Sequence, residues 1–158
     1  MKKIPVTKEG LIELKKKLDV LKNVDRKKII ESIKVAREHG DLKENAEYHA
    51  AKEEQFLIEK KIKELEEKVF LANEIDVSLI KDVNTVVFGA TVSLLDITND
   101  FFISYKLVGE DESDIKKNKI SINSPLARAL ILKSKNDIID LKTLNGIIKY
   151  KIEDIKYI

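Results

Sequence analysis

The strongest constraint on this chain is a heptad rhythm that runs twice through its first half. From Thr7, a helix N-cap with Glu9 in the favourable first turn, Leu11, Leu14, Leu18 and Leu21 recur at spacings of 3, 4 and 3. That is the pattern of a helix packing along another helix. The next seam position falls on Asp25, an interruption, and the pattern resumes at Ile29, Ile33 and Ala36 before Gly40, a helix-ending residue. Further on, Ala51, Gln55, Ile58, Ile62, Leu65, Val69 and Ala72 alternate spacings of 4 and 3 without a break. Connections of roughly 2–8 residues join antiparallel neighbours, so the two arms predict a helical hairpin that turns around residues 40–45. Arms of roughly 30 residues, at about 1.5 Å per residue, make a rod of about 45 Å.

A rod exposes more surface than a compact domain, and the composition agrees. Charged residues are 37% of the 158, against about 25% in ordinary globular chains. The signs nearly cancel: 30 Lys and Arg face 28 Asp and Glu, divided 18 to 17 up to Asp76 and 12 to 11 after it. Global charge therefore advertises neither nucleic acid nor cations, and any electrostatic role is local. Cysteine is absent, which excludes disulfides, thiolate zinc sites and thiol nucleophiles and makes a reducing cytoplasm the expected location. The basic start around Lys2 and Lys3 meets Lys8 and Glu9 before a signal-peptide core could form, and no apolar run approaches the ~20 residues of a membrane helix. The length also excludes a large scaffold such as an α/β barrel.

After Asp76 the texture becomes β-branched and aromatic. Strands are predicted over 85–97 around Gly89, then 101–108, 119–122, 138–142 and 147–158, with turns at Asn99-Asp100 and Asn145-Gly146. Ser124-Pro125 places an N-cap before a proline at N1 and opens a short helix through Leu132. The expected organisation is two domains: an antiparallel coiled-coil hairpin over 1–76 with an acidic tip around 37–52, and an α+β domain over 77–158.

The tip concentrates the chemistry. Residues 36–49 hold both histidines of the chain together with Arg37, Glu38, Asp41, Lys43, Glu44 and Glu47. Two readings stay open at this level. Asp41 could N-cap the returning helix while Glu44 reaches back from N3. Alternatively Asp41 and Glu44 are presented to a partner as hard oxygen ligands for magnesium, which takes as few as one or two carboxylates. His39 and His49 stand ten residues apart across a turn, without the i,i+4 pairing of a helical zinc site. No nucleophile elbow, Walker loop or dinucleotide fingerprint occurs.

The run from Ala36 to Gln55, containing Arg37-Glu38-His39-Gly40-Asp41-Leu42-Lys43-Glu44-Asn45-Ala46-Glu47-Tyr48, resembles the hairpin tip of the bacterial Gre transcript-cleavage factors, of GreA type. Ile120-Ser121-Ile122-Asn123-Ser124-Pro125-Leu126-Ala127-Arg128, Val87-Phe88-Gly89-Ala90 and Val108-Gly109-Glu110-Asp111-Glu112 resemble their C-terminal domain. The resemblance covers nearly the whole chain. It implies an FKBP-like C-terminal domain that docks on bacterial RNA polymerase while the hairpin enters the secondary channel, reaching the 3′ end of backtracked nascent RNA. It further implies that Asp41 and Glu44 assist catalysis by helping to hold Mg2+ jointly with the polymerase, none being bound tightly by the isolated protein. Arg37 and Lys52 fall on RNA-contacting positions, although position 52 is commonly arginine. Asn45 and Tyr48 belong to the tip motif, with turn capping and edge packing as their plainer roles, and Ser124 and Pro125 to the polymerase-docking stretch.

The expected protein is thus a monomeric accessory factor, not an enzyme, that stimulates the polymerase's own RNA cleavage. The alternatives are a channel occupant that regulates polymerase without cleavage, and an active prolyl isomerase, which the 6% aromatic content and absence of tryptophan disfavour. Lys27, Asn136 and Leu144 depart from the family pattern at positions away from the tip.

Overall fold

A computed structural model describes residues 2–158. It contains two compact units: residues 11–72, and residues 73–158 together with 3–10. No helix among the described residues is long and apolar enough to cross a membrane.

The first unit is the hairpin. Helix α1 (Lys8–Val20) passes through one π-helical turn (Leu21–Asp25) into α2 (Arg26–Arg37), with helical backbone angles at both junctions, and α3 (Ala46–Leu71) returns alongside. The π turn accounts for the interruption at Asp25. An unbroken alternation after Leu21 would place apolar residues at 25, 28, 32 and 35, yet Ile29, Ile33 and Ala36 each come one residue late. A π turn accommodates one extra residue, so the surplus is absorbed there and the seam continues in phase.

Two helices in contact can bury only one stripe each. Leu14, Ile29, Ala36, Ala51 and Ile62 are buried, with Ile62 only 2% exposed, while Leu11, Leu18, Leu21, Ile33, Gln55, Ile58, Leu65 and Val69 are half-buried. Beside the π turn, charges cross between the arms. Arg26 donates from Nε and Nη2 to the two carboxylate oxygens of Glu59 at 2.7 and 2.9 Å, and Lys22 Nζ lies 2.6 Å from Glu66. The fork geometry of Arg26 fixes register as well as charge. The Lys22 hydrogen bond holds the Glu66 carboxyl below its ordinary range. The contribution of that pair is therefore present above the ordinary carboxylate pKa and lost as pH falls. Its exposure keeps it small.

In the second unit β1 (Ile4–Thr7) pairs with β2 (Ala72–Ile75), and five strands form the main sheet. These are β3 (Thr91–Asp96), β4 (Phe101–Val108), β5 (Lys119–Ser121), β6 (Ile138–Thr143) and β7 (Gly146–Lys156), in the order β5-β4-β3-β7-β6. All pairs are antiparallel except β4 with β5. Helix α4 (Pro125–Leu130) contributes Ala127 and Leu130 to the core, where they join Val92 and Leu94 of β3, Leu107 of β4 and Ile152 of β7. On β7 the core residues Ile152 and Ile155 are three apart, not two. A bulge lies between them, since Ser93 pairs with Asp154 but Leu94 with Ile152, and the extra residue Glu153 returns Ile155 to the inner face. Asp96 is buried and accepts from the backbone and side chain of Asn99 at 2.8 and 3.0 Å, which closes the β3–β4 hairpin.

Several expectations shift. The strand predicted over 85–97 begins at Thr91, because Gly89 at φ +87° breaks it and Thr85 forms a single bridge with Ser134. The helix predicted through Leu132 ends at Leu130, with Leu132 left-handed at φ +65°. Ala72, placed on the heptad seam by its spacing, instead opens β2.

The strands β1 and β2 were not apparent in the sequence, and their pairing moves residues 3–10 out of the predicted 1–76 segment into the second unit, whose main part starts at residue 73. Glu112 reinforces that move. Its carboxylate accepts from the Thr7 hydroxyl and from the backbone N–H of Thr7 and Gly109 at 3.1 and 3.2 Å, and Thr7 in turn caps α1 by accepting from Gly10 N–H at 3.0 Å. A Cβ on Gly10 would overlap the Glu112 side chain where it now lies, so Glu112 keeps this position only beside glycine.

Two outcomes follow from the seam. Deleting Asn23, an exposed residue of the π turn, converts the surplus turn to regular α-helix, so helicity by circular dichroism and the midpoint of thermal unfolding should stay close to wild type. Deleting Lys34 instead, beyond the π turn, throws Ala36 out of phase and should lower the midpoint by several degrees. Ile62→Asp places an unpaired charge at the most buried seam position and should destabilise more than Ile62→Ala, for which about 2–5 kcal/mol is usual; urea unfolding of both variants measures the difference.

Candidate functional site

The hairpin turn occupies residues 38–44, between the end of α2 and the start of α3. Gly40 adopts φ +101° in open space, a conformation that side chains rarely adopt. Asn45, and not Asp41, is the N-cap of α3: its Oδ1 accepts from Tyr48 N–H at 3.1 Å with Asn45 in an extended conformation. The proposed Asp41–Glu44 capping box is therefore not formed. Asparagine and aspartate are equally good N-caps, so spacing did not distinguish residue 41 from residue 45.

Asn45 also reaches the other arm. Its Nδ2 donates to the carbonyl of Ala36 at 2.6 Å, which His39 N–H also approaches at 3.2 Å. A carbonyl at the end of α2, which lacks the usual i+4 donor, thus accepts both from its own chain end and from the cap residue of the opposite helix. Ala36 and Ala51 are both buried and line one groove near this crossing.

Released from capping, Asp41 and Glu44 are exposed. Asp41 Oδ1 accepts from Lys43 N–H at 3.0 Å, an Asx turn, and among the described residues Glu44 has no hydrogen-bond or ion-pair partner. Both line an open depression with His39, Asn45, Ala46 and Glu47. His39 Nε2 stands 3.3 Å from Glu47 Oε2, and His49 Nε2 hydrogen-bonds the Lys43 carbonyl at 3.1 Å. The ring of Tyr48, half-buried, meets His49 edge-on with centroids 5.6 Å apart. Sequence reasoning missed both histidine contacts; their only signal was the clustering of ionisable residues in so short a turn.

Arg37 ends α2 and is exposed; Lys52, exposed on α3, donates to Gln55 Oε1 at 3.2 Å. The cations therefore flank the acidic loop from the two arms. Ser124 and Pro125 lie in the other unit. Ser124 Oγ caps α4 by accepting from Ala127 N–H at 3.3 Å, with Pro125 at the first helical position and exposed.

As a donor set the tip is incomplete. Among the described residues no three His, Cys, Asp or Glu side chains come together as a metal site. Two open carboxylates nevertheless suit an ion that takes water and substrate phosphate for its remaining positions.

The heptad hairpin with its charged tip and the five-stranded sheet domain each match a family model of transcription elongation factors. The N-terminal family model of transcription elongation factors matches residues 4–73, and the C-terminal GreA/GreB model matches residues 81–157. The chain belongs to the GreA/GreB family and is of the GreA type. It is 52% identical over 155 residues to transcription elongation factor GreA of Buchnera aphidicola subsp. Acyrthosiphon pisum (strain Tuc7), covering 98% of each chain. It is 48% identical to GreA of Haemophilus influenzae over 158 residues, covering all of both. Among solved structures, GreA factor homolog 1 of Thermus thermophilus aligns over 98% of this chain and 99% of its own at 23% identity, with a TM-score of 0.44.

Because neither tip carboxylate caps a helix, Asp41→Asn and Glu44→Gln should leave the thermal unfolding midpoint within about a degree of wild type. Asn45→Ala, which removes the true cap, should cost about 1–2 kcal/mol in chemical unfolding. A larger loss in Glu44→Gln than in Asn45→Ala would contradict this assignment.

Proposed function

We propose that this GreA-type factor binds bacterial RNA polymerase, inserts its hairpin into the secondary channel, and stimulates the polymerase's intrinsic cleavage of backtracked nascent RNA, so rescuing arrested complexes. The observation that carries the proposal is the freedom of Asp41 and Glu44: both are exposed on the hairpin turn, in one depression, with the capping duty taken by Asn45. Asp41 and Glu44 would hold Mg2+ jointly with the polymerase and help to position the attacking water. The ion supplies charge neutralisation and a more acidic bound water. Arg37 and Lys52 flank the loop from opposite arms, where their charges suit the phosphates of the RNA 3′ end. Tyr48 and Asn45 support the turn.

For the other unit we propose an FKBP-like fold. Support comes from the strand order β5-β4-β3-β7-β6 and the short helix that adds Ala127 and Leu130 to its core. Its docking contact would be Pro125, whose ring is exposed, with Ser124 setting the start of the helix. The factor would act in the cytoplasm as a monomer, with no enzyme activity of its own.

In stalled, backtracked elongation complexes, Asp41→Asn and Glu44→Gln should lower cleavage by on the order of a hundredfold, the scale of losing one electrostatic group at a reacting centre, with polymerase affinity nearly unchanged. Raised Mg2+ should partly restore Glu44→Gln by mass action. Wild-type rates in both variants would remove the metal role; equal losses of binding and cleavage would make the two acids docking residues. The protein alone should leave free RNA intact at every Mg2+ concentration.

A further inference from the structure

We infer that Asn45 is a positioning residue for the tip carboxylates: by bonding both arms at once, it holds the 38–44 loop in the shape that directs Asp41 and Glu44 to one depression. This inference rests on the cleavage role proposed above. The backbone N–H groups of 38–40 still donate to the last carbonyls of α2, but among the described residues those of 41–44 donate to no backbone carbonyl. The shape of that second part, which carries Asp41 and Glu44, is set by side chains. Asn45 Nδ2 ties the loop's far end to Ala36 O at 2.6 Å while Oδ1 anchors the near end to Tyr48 N–H at 3.1 Å. His49 adds a bond to Lys43 O at 3.1 Å, and the Asp41 Asx turn closes the middle.

The pair of hydrogen bonds explains why an amide belongs here. A carboxylate or hydroxyl at position 45 would cap α3 equally well, but neither reproduces the second contact. Aspartate offers no donor and would set a negative oxygen against the Ala36 carbonyl, and serine is one atom shorter. Capping alone therefore does not account for asparagine, whereas joining two chain segments needs a donor and an acceptor on one short side chain.

The test separates cap from clamp. Asn45→Ser and Asn45→Asp both keep the cap, so helicity and unfolding midpoint should remain near wild type. In the isolated protein, heteronuclear 15N NOE values over residues 38–44 should fall in both variants while those of α3 hold. In stalled elongation complexes, the maximal cleavage rate at saturating factor should drop on the order of tenfold, the scale of one lost hydrogen bond that aligns reacting groups. The factor concentration giving half of that maximum should stay within about twofold. Agreement between the neutral serine and the charged aspartate excludes added charge as the cause. Unchanged NOE values, or a maximal rate equal to wild type in Asn45→Ser, would overturn the inference, as would a loss confined to the half-maximal concentration. If wild type itself stimulates no cleavage, the proposed function fails and the catalytic consequence with it, and the NOE comparison still decides whether Asn45 orders the loop.

Discussion

Two long helices that touch along a single stripe stay together only while both present apolar side chains at matching levels. In this hairpin the matching is threatened by one surplus residue near Asp25, and the π turn at Leu21–Asp25 removes the mismatch by widening a single turn. Were the turn regular, Ile29, Ile33 and Ala36 would rotate away from α3, and the Ala36 carbonyl would no longer face Asn45. The Arg26–Glu59 fork sits immediately after the widened turn. A bidentate pair tolerates little slippage, so it restrains register where the backbone is most permissive.

What phase makes possible at the far end is a division of labour among polar residues. A helix end needs a capping side chain, and a charged turn offers several. Asparagine takes the duty, which leaves two carboxylates free of helix capping. Each has only solvent or, in the case of Asp41, one local backbone N–H to satisfy it. Exposed anions held in a defined loop are available to a partner at low desolvation cost, whereas the same groups folded into caps would first have to be withdrawn. On the remaining side of that loop His39 stands beside Glu47, and His49 hydrogen-bonds the Lys43 carbonyl.

The second unit obeys a different economy of contacts. Its core is closed by Val86, Val92, Leu94, Leu107, Leu130 and Ile152, all essentially inaccessible to solvent. Burial of one face of β3, which carries Val92, Leu94 and Asp96, leaves little freedom in register, and the bulge at Glu153 is the adjustment that keeps the inner face of β7 apolar along its length. The N-terminal strand belongs here because its backbone pairs with β2 and its Thr7 is held by Glu112, a contact spanning 105 residues of sequence.

The long periodic elements were legible in advance because their cause is local. Leu14, Ile29 and Ile62 recur at helical spacing, and Phe101–Val108 carries the β-branched and aromatic run of a strand at the bounds that the pattern suggests. The acidic tip was legible as a cluster, and its family resemblance pointed to Asp41 and Glu44. Other features depended on the partner that each residue met. Nothing in the text of the chain chooses between Asp41 and Asn45 as the cap; the choice follows from Asn45 alone reaching the Ala36 carbonyl across the hairpin. Four-residue strands such as β1 and β2 carry too few side chains to show a period, and they exist because each supplies the other's hydrogen bonds. Spacing exposed the surplus residue near Asp25, but whether it would break the helix, loop out or widen one turn was settled by α3, whose unbroken seam rewards the solution that keeps Ile29 and Ala36 buried.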